Sequence, residues 1–277
     1  MDGLSFIIPS VGKSDKLDNL INQIEKIAFQ KEIILVDNSS EKFLYKKYSK
    51  SKKCKCIYEN RTGTSFARNK GAKEAKYNML VFLDDDIVLS STFQNLNFKQ
   101  LYADKSFGIA GGKVIVNNVP SYLPKKYFYI SGAKDYGDNL LNLPKYKYLG
   151  GCLLIIKKEV FNKVNGFDTD FGHNKKIRGA NEDIIIQELV RKIGLKVMYI
   201  PKATVYHFWN EDEKYAIKRV RTQGIVDRIT DKKYFSFRFL LKLIKYKLFI
   251  FIYNNKTNLP KEKLYDLKRY KSYVNSK

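Results

Sequence analysis

Short unbroken apolar runs alternate along the chain with stretches whose apolar residues recur at helical spacing, a pattern of strands and helices taking turns. Leu4-Ser5-Phe6-Ile7-Ile8-Pro9-Ser10 predicts a first strand, and Pro9, without an amide hydrogen for the ladder, is expected to stop it. Leu17, Leu20, Ile21, Ile24 and Ile27 then recur as one helix face, and Glu32 to Val36 forms a second apolar run ending in Asp37-Asn38-Ser39-Ser40. Strand, helix, strand is a βαβ unit with a parallel pair. Cys56 to Asn60 predicts a third strand, and Arg61-Thr62-Gly63-Thr64-Ser65 a turn opening a helix through Arg68 and Ala72. Met79-Leu80-Val81-Phe82-Leu83 is a strand buried on both faces that runs straight into Asp84-Asp85-Asp86.

Further strands are expected at Phe107–Val116, Tyr148–Ile156, Lys196–Pro201 and Ala203–Phe208. The stretch 120–148 is rich in Tyr, Lys and Gly without clear periodicity and reads as a variable loop region. Its Tyr122, Tyr127, Tyr129, Tyr136 and Tyr146 either stack on a sugar or pack. Gly150-Gly151 marks a place where another backbone or a substrate approaches closely. Asn181 is placed as an N-cap and Gly194 as a stop for a helix whose first turn holds Glu182 and Asp183.

Chemistry gathers at the strand ends. Three consecutive carboxylates repel one another unless a turn separates them or a divalent cation with oxygen ligands joins them, and the carboxyl ends of strands are where open α/β sheets bind ligands. An acidic turn accounts for them equally well. Asp37 emerges beside Pro9, placed to accept from a base or ribose or to form an Asx turn. The helix start after Gly63 offers amides and a positive dipole end to a phosphate, with Arg68 one turn in.

Composition narrows the partners. The 277 residues hold 44% hydrophobic side chains, which excludes wholesale disorder, and the net charge is +24. From Lys214 to Lys277 there are 18 Lys/Arg against 4 Asp/Glu, so the basic excess is concentrated at the C-terminal end and points to anionic partners. Cys54, Cys56 and Cys152 have no spacing suited to a zinc site or disulfide framework. With no export signal at the N-terminus, the expected compartment is the reducing cytosol. Cys152 reads as a small apolar filler.

Ile7-Ile8-Pro9-Ser10, Val36-Asp37-Asn38-Ser39, Asn60-Arg61-Thr62-Gly63 running into Ala67-Arg68-Asn69, and Phe82-Leu83-Asp84-Asp85-Asp86 together resemble, in order and spacing, the inverting glycosyltransferases of family 2. The resemblance implies the GT-A fold, an α/β architecture with a Rossmann-like mixed central sheet flanked by helices. It implies a donor site formed by Pro9, Asp37 (base), Asn60, Gly63, Arg68, Asp84 and Asp85 (ribose side), with Asp86 on a Mn²⁺ or Mg²⁺ bridging the diphosphate. The three consecutive Asp residues leave a one-residue shift of roles open. Glu182-Asp183 matches the family's catalytic carboxylate pair, with Asp183 as general base. His207 matches a third metal ligand, against the alternative of a packed histidine. His173 lies in a loop able to meet acceptor.

The expected organisation is a catalytic domain over 1–210, its nucleotide-binding half about 1–116 and its acceptor half about 117–210, followed by a basic, aromatic-rich helical extension over 211–277. Arg238, Lys242 and Lys245 share one helical face there, as in a cationic amphipathic helix lying on anionic lipid; the alternative is packing on the domain or on a second subunit of a homo-oligomer. The function that follows is metal-dependent transfer of a sugar, from a UDP-sugar by first expectation, to a hydroxyl of a glycan or lipid-linked acceptor. The expected location is cytoplasmic, peripheral on the inner face of the membrane, with no nucleic acid partner. A nucleotidyltransferase of similar fold would carry a Gly-rich basic loop after its first strand, of which Pro9-Ser10-Val11-Gly12-Lys13 is a poor version. A non-catalytic polyanion- or membrane-binding protein would leave the acidic clusters without purpose.

Overall fold

The computed structural model describes residues 2–12, 14–127, 133–173, 181–208 and 212–276. Strands β1 (Leu4–Ser10), β2 (Lys31–Asp37), β3 (Lys55–Tyr58) and β4 (Met79–Leu83) follow the apolar runs, with α1 (Leu17–Glu25), α2 (Phe43–Tyr48) and α3 (Thr64–Glu74) between them. They lie parallel in the order β3-β2-β1-β4. Alternation divides β1 between two layers: Leu4, Phe6 and Ile8 pack with Leu17, Leu20 and Ile24 of α1, while Ile7 packs with Ala67 and Ala72 of α3. Pro9 does not stop β1. It stays paired with Val36, at a level where β1 has already outrun β4, so its missing amide faces no strand.

The sheet continues β4-β8-β6-β9-β5, built from β5 (Ile87–Leu89), β6 (Phe107–Asn117), β8 (Leu153–Lys157) and β9 (Lys196–Phe208). The short β7 (Leu141–Asn142) pairs with β9 outside that path. β8 is antiparallel to both neighbours and β6 runs parallel to β9, so the sheet is mixed. Helices α4 (Phe98–Ala103), α5 (Lys158–Lys163) and α6 (Glu182–Lys192) complete this part. β8 begins later than the apolar run suggested because Gly150 and Gly151 lie in the turn ahead of it. The two strands expected at 196–208 are one. Its register against β6 jumps from Ile200↔Gly112 to Val205↔Val114, and Pro201 falls in that irregularity, where no ladder amide is needed. A Cβ on Gly112 would stand 1.5 Å from the Ala203 carbonyl oxygen, so only glycine fits there.

The basic extension is helical: α7 (Glu213–Tyr234), α8 (Ser236–Tyr253) and α9 (Lys261–Asn275). α7 packs onto α6 and the segment before it, Val226 against Phe171 and Ile185, and Ala216 and Val220 lie beside Leu123, Tyr127 and Tyr265 of α9. α8 rests on its two companions, with Tyr246 stacked on Tyr270 at 3.9 Å between ring centroids. The expected cationic face is corrected in part. Arg238 and Lys242 point inward, at 3.2 Å and 2.6 Å from the buried Asp231 of α7, because that carboxylate needs compensating charge. Lys245 alone of the three remains exposed. The expected boundary at 210–211 falls outside the described residues.

Candidate active site

A cleft of about 560 Å³ opens at the carboxyl ends of β1 and β4. One wall is Pro9, Ser10 and Asp84 to Asp86; the other is Gly150, Gly151, Glu182 and Asp183. Arg68 ties the walls together. Its guanidinium donates to Asp84 Oδ1 and Glu182 Oε1, both at 2.8 Å, and to the Gly151 carbonyl at 3.0 Å, with only 2% of its side chain exposed. So employed, Arg68 is a buried strut across the strand ends. Burial raises the Glu182 carboxyl and Arg68 works against that rise.

Asp183 is differently placed. It is half-buried on the cleft wall, and among the described residues it forms no ion pair; its Oδ1 accepts the Ile184 amide at 2.9 Å. Burial and then the charge of Glu182 push its carboxyl up to about 6, with Lys134 and Arg68 opposing. At the glycine pair it is a side chain that approaches closely, not the backbone expected there: a Cβ on Gly151 would lie 3.1 Å from Asp183 Oδ2. Gln187, one turn on, donates to the Asp183 carbonyl at 2.8 Å and accepts from Leu149 N at 2.8 Å, fastening the glycine turn to α6.

Strand register brings Asp86 to His207. β5 pairs antiparallel with β9, Ile87 opposite His207, so the residue just before Ile87 lies beside the imidazole, Oδ2 to Nε2 at 3.2 Å. Burial alone would raise the Asp86 carboxyl, but its bond to His207 outweighs that and holds it below the usual range. Asp86 Oδ1 and His207 Nδ1 are buried without a hydrogen-bond partner among the described residues. Two ligands of one octahedral ion stand roughly 3 Å apart when bonds are about 2.1 Å, so this pair fits a divalent cation as two of its ligands. Among the described residues no group of three or more His, Cys, Asp or Glu side chains is placed to hold a metal ion. Asp85 accepts the Ser10 hydroxyl, and burial pushes its carboxyl up to about 6.

The other expected donor residues divide. Pro9, Arg68, Asp84 and Asp85 line the cleft; Asp37, Asn60 and Gly63 do not. Asp37 is fully buried, its two oxygens accepting from Ser39 N at 2.9 Å and Tyr45 N at 2.8 Å, so it builds the turn that presents its neighbour Asn38 to the cleft. Asn38 in turn holds the next loop, donating to the Glu59 and Arg61 carbonyls and accepting from Gly63 N. Asn60 is exposed. At the start of α3 Thr64 lines the cleft, but its amide is already engaged, donating to the Gly172 carbonyl at 2.7 Å. Asn181 is not a side-chain cap. With φ at 89° it turns toward α7, donating to Thr230 and Asp227 and accepting from Gln223.

His173 lines the cleft, and Cys152, whose thiol burial pushes well above its usual range, is no nucleophile. Of the loop tyrosines, Tyr127 is buried beside Tyr265, Tyr136 packs edge-on to Tyr199 and Tyr146 is exposed; Tyr129 lies outside the described residues. Sequence reasoning missed Ser10, Lys134, Tyr215 and Arg219 as cleft residues. A helix face of mixed polarity after residue 212 was the only signal for the last two.

The profile of glycosyl transferase family 2 matches residues 5–164, more than half of the chain. The chain belongs to glycosyl transferase family 2. The matched stretch carries the Asp84–Asp86 wall, while Glu182, Asp183 and His207 lie beyond it. Glucosyl-dolichyl phosphate glucuronosyltransferase of Haloferax volcanii is 25% identical over 188 residues, covering 65% of this chain and 59% of that protein. Poly-beta-1,6-N-acetyl-D-glucosamine synthase of Staphylococcus aureus is 23% identical over 213 residues, covering 73% and 49%. This family 2 chain therefore spans about half the length of the curated relatives it matches. GalNAc-T7, solved with UDP, GalNAc and Mn²⁺, superposes with a TM-score of 0.61 at 15% identity, over 99% of this chain and 55% of that one, which shows the shared GT-A fold.

Proposed function

We propose that this family 2 enzyme moves a sugar from a nucleoside diphosphate donor, a UDP-sugar first among those to test, to a hydroxyl of a glycan or lipid-linked acceptor, with inversion at the anomeric carbon. The observation that carries this reading is the single cleft in which Asp183, without an ion-pair partner among the described residues, faces the Asp86–His207 pair. The nucleoside lies against Pro9, Ser10, Val11 and Asn38, with Asp85 on the ribose side. Asp37 acts indirectly, by fixing Asn38. The diphosphate reaches Asp86 and His207, which would hold Mn²⁺ or Mg²⁺. Such an ion neutralises charge on the departing diphosphate.

The acceptor hydroxyl approaches from the Gly151 side. Its oxygen forms a bond to the anomeric carbon as the bond to the diphosphate breaks, the electron pair leaves with the diphosphate, and the proton passes to Asp183. The raised affinity of Asp183 for a proton suits this task, and Glu182, held by Arg68, keeps the base in position. The cytoplasmic face of a membrane is the location that suits a lipid-linked acceptor.

Nucleoside diphosphate release, measured across a panel of sugar nucleotides for wild type and Asp183→Asn, tests the reading. We expect the substitution to lower turnover by about 10²–10⁴ while donor binding persists. Intact turnover removes Asp183 as base, and a product anomer matching the donor removes inversion.

A further inference from the structure

Among the described residues the outward face of α8 has no partner. Phe237, Leu240, Leu241, Ile244, Leu248 and Phe251 recur at helical spacing along it, and Phe237 and Phe251 are 77% and 85% exposed. An apolar stripe this continuous is uncommon on a free surface. At about 100° per residue, Lys245 lies to one side of the stripe and Lys247 to the other, both exposed. No Asp or Glu occurs between Asp231 and Glu262. Among the described residues no helix is long and apolar enough to cross a membrane.

We propose that α8 is an interfacial docking helix that sets this stripe into the headgroup boundary of an anionic bilayer, with Lys245 and Lys247 reaching up to lipid phosphates on both sides. Charge selects lipid over a second copy. Two such stripes face to face would bring lysines against lysines with no acid to offset them, whereas anionic headgroups complement both flanks. The inward turn of Arg238 and Lys242 toward Asp231 serves the same geometry, because it leaves the outer face apolar and fixes the helix on α7. Arg238 also lines the cleft, so a docked α8 would hold the site beside the membrane surface. Docking is independent of the chemistry assigned to Asp183, and either can fail alone.

The test uses the full chain and flotation with vesicles of phosphatidylcholine, with and without phosphatidylglycerol. Because a protein of charge +24 attracts anionic vesicles non-specifically, the deciding variant is apolar: Leu248→Ser with Phe251→Ser. We expect wild type to float with the anionic vesicles and this variant to bind roughly tenfold more weakly or worse, with unchanged circular dichroism and soluble-substrate turnover. Lys245→Glu with Lys247→Glu should lose a similar factor on anionic vesicles only. Tryptophan emission of Phe251→Trp should shift to the blue on vesicle addition. Undiminished flotation of the apolar variant overturns the proposal, as does a wild type that ignores anionic vesicles. A dimer that the apolar variant dissociates, with no vesicle binding, would assign the face to a second copy instead.

Discussion

Two adjacent acids at the start of α6 have been given opposite work by their surroundings. Glu182 is 4% exposed and bound to Arg68; Asp183 faces the cleft and holds its proton up to about pH 6. A general base must be ionised, so kcat/KM for the acceptor should rise with pH through about 6 and level off above it. A flat profile from pH 5 to 8 would reject the assignment; Asp85→Asn, which removes the other acid near 6, should leave the rise in place. Stability runs the other way. The folded carboxyl binds its proton more tightly than the unfolded one, so its ionisation costs stability above about pH 6, and that cost fades as pH falls toward the ordinary carboxylate value. Asp183→Asn should therefore melt at a higher temperature than wild type at pH 8 and lose that advantage near pH 4. At the Asp86–His207 pair proposed to hold the metal, Asp86→Ala should raise the Mn²⁺ concentration needed for half-maximal turnover by tenfold or more, with fold and melting little changed. The residue types at all these positions were legible in the sequence, but their division of labour was not. Nothing in Glu182-Asp183 says which one meets Arg68, because that depends on a helix from a distant part of the chain.

The strands β1, β2 and β4 could be read almost to the residue, since an unbroken apolar run has one favourable fate in a parallel sheet, whereas the half-exposed β3 begins one residue earlier and ends two earlier than expected. The elements that escaped were those whose boundaries are set by partners. β5 is three residues long and exists because β9 offers an edge; β9 runs through Pro201 because β6 leaves a gap in register. That gap rests on Gly112, and Gly112→Ala should prevent a native fold or lower its melting temperature severely, as the added methyl meets backbone at 1.5 Å. α6 shows the same dependence. Asn181, at its first turn, is held by Gln223, Asp227 and Thr230 of α7, and Asp227 is in turn bound to Arg269 of α9. The carboxylate pair is thus positioned from the extension. Asp227→Ala strips Arg269 and Asn181 of a shared buried partner, and a loss of about 3–5 kcal/mol is expected for breaking such a pair. Chemical denaturation would measure it, and a loss below about 1 kcal/mol would show that the lock does not bear on the helix.

At the scale of the molecule, the extension is the part whose role differs from the one its composition suggests. Its excess of Lys and Arg predicts an appendage for anionic surfaces, yet Tyr215, Arg219 and Gln223 of α7, Arg238 of α8 and Arg269 of α9 all line the cleft. Composition could not reveal this because inward and outward cations look alike in a sequence; only the acids they meet, Asp227 and Asp231, distinguish them. The cleft lining consequently continues past residue 210, and a chain ending at Tyr234 tests whether the proposed activity depends on it. Such a chain would lose Arg269 from Asp227 and Tyr265 from the cluster around Tyr127, Ala216 and Val220, leaving apolar and charged groups of α7 uncovered together. It should melt well below the full chain and turn over no acceptor, even where nucleotide binding by the β1–β4 half persists. Melting and turnover equal to the full chain would mean that α8 and α9 merely ride on a complete enzyme, with the cleft closed by α7 alone.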